Sequence, residues 1–294
     1  MRLFKDRLAR RTMLVLTWVP AFLVLLILVG LFLRSRPILA EKPFFSLLMS
    51  SSWSPLRGDF GLLPFLMGTL WVTFIALALA VPVSLLTAVY LSEYAPRFAR
   101  EFTKPIIDLL AGLPSVIYGV WGVLLVVPLV GRVIAPVFGV QSSGYSVLAG
   151  GIVLAIMIFP TIISVSLEVF SSIPDQMREA SLSLGATKWE TVRYVVLKKG
   201  LQGIIAAVVL GLSRAFGETM AVLMVVGNIA RVPRSVFDAG YPLPALIANN
   251  YGEMMSVPFY DAALMLAAAV LLLVVLIFNV LARLILVRVN RRAA

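Results

Sequence analysis

The sequence predicts an all-α integral membrane protein with six transmembrane helices. Of its 294 residues, 61% are hydrophobic and only 13% are charged, whereas soluble domains average about 25% charged residues. Six apolar stretches are each long enough to cross a bilayer, which takes roughly 20 residues of helix. They cover residues 13–33, 62–91, 106–130, 146–167, 201–226 and 261–282.

The first stretch follows a basic start, a pattern that secretory signal peptides share. Its apolar run continues from Met13 to Leu33, which is longer than a signal-peptide core of roughly 7–15 residues. No A-x-A cleavage site follows it, so we expect an uncleaved span. We divide the chain into an N-terminal span with its outer loop, residues 1–60, and a core transmembrane domain, residues 61–294, with a polar loop at about 171–200.

The basic residues predict the orientation in the membrane, because cytoplasmic segments carry an excess of Lys and Arg. With the N-terminus inside, the inner segments hold 17 of the 25 basic residues and the outer segments hold seven. We therefore expect both termini to be cytoplasmic. The net charge of +11 does not indicate nucleic-acid binding, since the charges fall at membrane edges rather than on one solvated face.

The composition excludes several kinds of chemistry. The chain contains no cysteine and no histidine, which excludes disulfides, thiolate nucleophiles, histidine-ligated metals and histidine acid–base catalysis. No phosphate-binding G-x-x-x-x-G-K-[ST] motif occurs. We predict no catalytic residue, no metal site and no cofactor bound by this chain.

The polar loop between the fourth and fifth stretches predicts two short helices joined by a glycine corner. Ser172–Asp175 and Thr187–Glu190 each fit a helix-capping box, and Gly185 is placed to end the first helix in a left-handed conformation. Each helix has an apolar stripe at positions i, i+3 and i+7. The stripes are Met177, Ala180 and Leu184, then Trp189, Val192 and Val196. Either stripe could pack on the protein's own core or fill the groove of a partner.

Two charges interrupt the fifth stretch. Arg214 and Glu218 stand four residues apart, a spacing that would place them on one face of a continuous helix. One interpretation is a mutually neutralising structural pair. The other is an anion pathway, because a guanidinium stays charged and donates paired hydrogen bonds to oxyanions. We take Arg214, Glu218 and the adjacent Thr219 as candidate substrate-pathway residues.

The polar loop resembles the "EAA" loop of ABC-importer permeases. The resemblance rests on Glu179-Ala180-Ser181, on Gly185 and on Val195-Val196-Leu197. In that family the coupling helix of the loop sits in a cleft of the ATPase subunit. The resemblance implies a type I ABC-importer permease architecture with a cytoplasmic coupling helix. The residues expected to face the ATPase are Glu179, Ala180, Leu184, Gly185 and Trp189.

Further segments resemble the PstC-type permeases of phosphate importers. They are residues 110–119, residues 211–221 and Gly227-Asn228. The resemblance implies half of the translocation pathway of an ATP-driven phosphate importer in a bacterial or archaeal cytoplasmic membrane. The implied partners are a PstA-type second permease, an ATPase dimer that binds ATP and Mg, an extracytoplasmic phosphate-binding protein, inorganic phosphate and membrane lipid. A permease for sulfate or molybdate and a secondary anion transporter stay open as alternatives.

Overall fold

A computed structural model of the chain describes residues 2–253 and 256–293, and it describes the side chains of residues 9–253 and 256–288. Several basic residues of the predicted inner termini lie outside these described side chains. Residues 254 and 255, part of the predicted outer loop, also lie outside the described residues.

The described residues include six helices that are long and apolar enough to cross a membrane, which confirms the predicted number of spans. Their bounds are Ala9–Glu41, Leu63–Tyr94, Ser115–Val137, Val147–Ser171, Lys188–Gly217 and Tyr260–Arg288.

Shorter elements connect these spans. Among the described residues the α-helices are α1 (Arg2–Glu41), α2 (Phe44–Met49), α3 (Leu63–Val89), α4 (Arg97–Gly112), α5 (Ser115–Trp121), α6 (Val127–Leu129), α7 (Ala135–Val137), α8 (Val147–Ser171), α9 (Asp175–Ser183), α10 (Lys188–Thr191), α11 (Leu197–Gly217), α12 (Met220–Val225), α13 (Leu243–Asn250) and α14 (Tyr260–Ala293). Strands β1 (Trp53–Ser54) and β2 (Asp59–Phe60) form an antiparallel hairpin around a 3₁₀ turn, Pro55–Arg57. In the part of the chain that the structure describes, four π-helical turns continue the helices, at Tyr90–Tyr94, Gly122–Val126, Val130–Ile134 and Val192–Val196.

The fourth span lies at the centre of the bundle. In its most apolar stretch 67% of the residues are buried, whereas none are buried in that of the first span. The central cluster joins α3, α8 and α11 through Val72, Ala76, Ile158, Ile162 and Ala207. The first span packs mainly against α14 and leaves most of its apolar side chains exposed, as expected of a helix surrounded by lipid.

The third span begins later than the sequence predicted. The stretch 106–130 contains a break, so that α4 ends at Gly112 and the span begins at Ser115. Leu113 is extended, with φ −66° and ψ 135°. The physical reason is Pro114, since the residue before a proline is driven out of the helical region.

The described part of the segment between the fifth and sixth spans contains a helix that packs against the bundle. Its helix α13 buries Leu243 and Leu246 in a cluster with Phe65 and Tyr260 at one end of the bundle. The backbone N–H of Leu243 donates to Thr69 Oγ1 at 2.9 Å. This segment therefore helps to fix α3 against α14.

Candidate translocation site and coupling surface

The helix that carries Arg214 ends sooner than the sequence predicted. The stretch 201–226 was predicted as one span, but α11 ends at Gly217 and Glu218 is extended, with φ −79° and ψ 127°. A new short helix, α12, begins at Met220. Arg214 and Glu218 are therefore not on one helix face, and the prediction that they face each other as a pair is wrong.

Arg214 instead bonds to two other helices. Its Nη1 donates to Thr161 Oγ1 of α8 at 2.8 Å, and its Nη2 donates to the Ala111 carbonyl of α4 at 3.3 Å. Ala111 lies in the last turn of α4, where backbone carbonyls lack partners within the helix. Arg214 thus joins α4, α8 and α11 beside the break at Gly112. A guanidinium carries five N–H groups, so these two bonds leave donors that an oxyanion can engage.

Glu218 caps the helix that follows it. Its Oε1 accepts a hydrogen bond from the Ala221 N–H at 3.1 Å. A carboxylate is favourable there because the amino end of a helix carries partial positive charge. Thr219 stands at the N-terminal boundary of α12 and is partly exposed, and its side chain makes no capping bond to that helix. The three pathway candidates are close together in the chain. Arg214 nevertheless bonds to α8 and α4, whereas Glu218 bonds to α12.

Tyr118 connects the two sides of the nearby helix break. Its hydroxyl donates to the Leu110 carbonyl at 2.6 Å, so α5 stays attached to the end of α4. Sequence reasoning included Tyr118 and Ala111 in a segment of resemblance but assigned no role to them or to Thr161. The separation of 53 residues between Thr161 and Arg214, and of 103 between Ala111 and Arg214, explains why no local pattern connected these two residues with Arg214.

The polar loop has the predicted helix–corner–helix shape. Gly185 has φ +84°, which a residue with a side chain adopts only at a cost. The capping box at Thr187 and Glu190 is present, with Thr187 N–H donating to Glu190 Oε2 at 2.7 Å and Glu190 N–H donating to Thr187 Oγ1 at 3.3 Å. The second helix is the start of the fifth span, which runs from Lys188 through a π-helical turn to Gly217, so the corner is connected directly to the membrane bundle. The span thus begins earlier than residue 201, where the sequence predicted it.

The first predicted capping box is absent. Pro174 occupies the N-cap of α9, and Ser172 Oγ donates to the Val169 carbonyl instead. Proline supplies the extended backbone that precedes a helix, so α9 begins without a side-chain cap.

The two apolar stripes of the loop divide between core and surface. Val192 and Val196 are buried with Phe170 and Ile173, and Met177 packs against the same cluster. Leu184 and Trp189 are 89% and 52% exposed. Glu179, Ala180 and Gly185 are exposed as well. The loop therefore rests on the protein's own core through one set of residues and presents another set at its surface.

Comparison with known proteins identifies the family. Residues 80–294 match the family described as binding-protein-dependent transport system inner membrane component. The phosphate transport system permease protein PstC of Xylella fastidiosa (strain 9a5c) is 40% identical over 261 residues, which cover 84% of this chain and 80% of the relative. The protein of the same name from Mesorhizobium japonicum is 34% identical over 290 residues, 92% of this chain and 88% of the relative.

Solved structures share the fold at low sequence identity. A bacterial alginate ABC transporter, in complex with an alginate-bound periplasmic protein, matches with a TM-score of 0.63 and 17% identity over 96% of each chain. The methionine ABC transporter MetNI, in an inward-facing conformation, matches with a TM-score of 0.58 and 20% identity over 76% of this chain and 93% of that chain. By sequence and by fold, the chain belongs to the inner membrane components of binding-protein-dependent transport systems, and among them to the PstC-type permeases.

Proposed function

We propose that this protein is the permease subunit of an ATP-driven phosphate importer and forms half of its translocation pathway. The observation that carries the proposal is the Arg214 guanidinium, which is held by Thr161 and the Ala111 carbonyl where α4 breaks. A charge inside a membrane bundle is costly and marks a functional site by default. Arginine is suited to oxyanions, and the relatives described above are named as phosphate transport permeases.

ATP hydrolysis is assigned to a partner. The chain has no phosphate-binding nucleotide motif, and its exposed Leu184 and Trp189 provide an apolar surface beside the glycine corner. We propose that this surface docks in an ATPase subunit, which binds ATP and Mg in a dimer. The remaining partners are a PstA-type second permease, an extracytoplasmic phosphate-binding protein and the lipid of a bacterial or archaeal cytoplasmic membrane, with both termini of this chain in the cytoplasm.

The test is phosphate uptake by the complete transporter in proteoliposomes. Arg214→Gln should abolish ATP-dependent uptake while the complex still assembles. Glu218 is bonded to the Ala221 N–H rather than to Arg214. Glu218 therefore keeps its hydrogen-bond partner in the Arg214→Gln variant. The matched control is Arg283→Gln, which should leave uptake unchanged. Arg283 is an exposed arginine near the C-terminal end of the sixth span.

Two further arms test the alternatives. Excess sulfate or molybdate should not compete with phosphate, and effective competition would reassign the substrate to another oxyanion. The chain without its ATPase should transport nothing, so uptake by the chain alone along an ion gradient would make it a secondary transporter.

A further inference from the structure

A largely buried ion pair joins the polar loop at residues 171–200, called the coupling loop from here on, to the second span. Arg178 lies on α9, and Glu93 lies in the π-helical turn Tyr90–Tyr94 that ends the second span. Arg178 donates from Nη2 to Glu93 Oε1 at 2.9 Å and from Nε to Glu93 Oε2 at 3.2 Å. The Arg178 side chain is 17% exposed and that of Glu93 is 8% exposed. Such a two-pronged bond fixes both the distance and the orientation of the two elements.

Arg178 also closes the end of the fourth span. Its Nη2 donates to the Phe170 carbonyl at 2.8 Å, and its Nη1 donates to the Ile173 carbonyl at 2.6 Å. Phe170 belongs to the last turn of α8, and its carbonyl also accepts from the Ile173 N–H at 3.3 Å. One side chain therefore joins the coupling loop to both the second and the fourth spans.

The turn Tyr90–Tyr94 is held from its other side by α4. Arg100 of α4 donates from Nε to the Leu91 carbonyl at 2.9 Å and from Nη2 to the Ser92 carbonyl. Near the other end of α4, the Ala111 carbonyl accepts the bond from Arg214. A series of specific contacts thus runs from α9 through the end of the second span and along α4 to Arg214.

We propose that Glu93 and Arg178 are a positioning pair that transmits movement of the coupling loop to α4 and so to the Arg214 site. The inference rests on the proposed function, because it assigns the pair a task within ATP-driven transport. Removal of one member leaves the other charge buried without its partner. The same arginine also pairs with Asp175 at 3.0 Å, but the Asp175 side chain is 89% exposed. Exposed pairs contribute little, so Asp175 supplies a matched control.

The experiment compares Glu93→Gln, Arg178→Gln, their combination and Asp175→Asn in the complete transporter. Uptake and ATP hydrolysis are measured per assembled complex. Each single substitution of the pair should lower phosphate uptake per ATP hydrolysed by roughly tenfold, within the range usual for coupling between sites. The double variant should be no worse than the worse single variant, because two members of one contact are not additive. Asp175→Asn should stay within about twofold of the wild type.

An unchanged ratio of uptake to ATP hydrolysis in Glu93→Gln overturns the proposal. If Glu93→Gln does not assemble, Arg178→Lys supplies the readout, since it keeps the charge and loses the two-pronged bond. A lowered ratio with normal assembly supports the pair, and a wild-type ratio overturns it.

A second measurement separates this inference from the proposed function. Cysteines introduced at Ser183 of α9 and Glu101 of α4, both exposed, carry spin labels whose separation is measured with and without ATP. In the wild-type background the separation between the two labels should be the same with and without ATP, because the pair holds the two helices together. In Glu93→Gln the separation should differ between the two conditions. Identical behaviour in both backgrounds rejects the pair. A wild-type transporter that takes up no phosphate rejects the proposed substrate and leaves this distance test intact.

Discussion

Individual charges of the candidate site are stabilised by helix ends. Arg214 stands in the last turn of α11 and bonds to the last turn of α4, while Glu218 caps the start of α12. The carboxyl end of a helix carries partial negative charge and the amino end partial positive charge. Each ion is therefore compensated by backbone dipoles, and no carboxylate among the described side chains forms an ion pair with Arg214.

Thr161 should orient Arg214 for the anion. Thr161→Val removes the hydroxyl that accepts from Arg214 Nη1 at nearly constant volume. Phosphate uptake should fall by about tenfold, since a charged hydrogen bond is worth about 1.5–3 kcal/mol, while the amount of assembled complex stays constant. Thr161→Ser keeps the hydroxyl and is the control, which should retain most of the uptake. Equal uptake in both variants would contradict an orienting role.

The cap formed by Glu218 gives a second residue-scale prediction. Glu218→Gln retains an oxygen that can accept from the Ala221 N–H, whereas Glu218→Ala retains none. Loss of a helix cap costs about 1 kcal/mol. We therefore expect the purified complex to melt at a lower temperature with alanine than with glutamine. Similar melting temperatures for the two variants would show that the cap contributes nothing to stability.

The coupling loop is anchored in the core at one end and turns sharply at Gly185. Val192 and Val196 anchor it in the core, and the corner at Gly185 turns α9 towards the fifth span. A Cβ added at Gly185 would meet no atom within 4 Å. The glycine is therefore required by the backbone conformation and not by close packing.

Gly185→Val should weaken association with the ATPase. A left-handed conformation costs a residue with a side chain about 1–2 kcal/mol, so the corner should relax and displace Leu184. The matched control is Gly139→Val, since Gly139 has φ +69° and also has no atom within 4 Å of an added Cβ. Copurification of the ATPase should decrease with the first variant and persist with the second. An equal decrease in both would indicate general destabilisation instead of a local effect.

The whole molecule combines a buried centre with a lipid-facing periphery. The fourth span is enclosed by its neighbours, whereas the first span exposes nearly all of its apolar side chains. The positions of Lys and Arg predict how the bundle is oriented, because basic segments are usually retained on the cytoplasmic side.

The orientation can be tested by labelling, because the natural sequence contains no cysteine. Cysteines at Ser51 and Ser143, both exposed, should react with an impermeant thiol reagent in intact cells. A cysteine at Ser183, exposed on α9, should react only after the membrane is opened. Labelling of the Ser183 position from outside would reverse the orientation and remove the basis for ATPase docking.

The sequence by itself determined the number of spans, the glycine corner and the capping box at Thr187. These features depend on hydropathy and on bonds between near neighbours in the chain, so local patterns suffice to predict them. The EAA-like residues predicted an ABC-importer permease, and residues 110–119, residues 211–221 and Gly227-Asn228 predicted the PstC type. The comparisons confirmed both predictions.

Tertiary structure alone decided the partners of Arg214 and Arg178. The i, i+4 spacing of Arg214 and Glu218 predicted a pair only while the helix was taken as continuous. The helix ends at Gly217, so that Arg214 bonds to distant groups of α8 and α4, whereas Glu218 bonds locally to the start of α12. Thr161 and Ala111 for Arg214, and Glu93 for Arg178, lie far away in the chain. The packing of helices brings them together, and no short-range pattern encodes that packing.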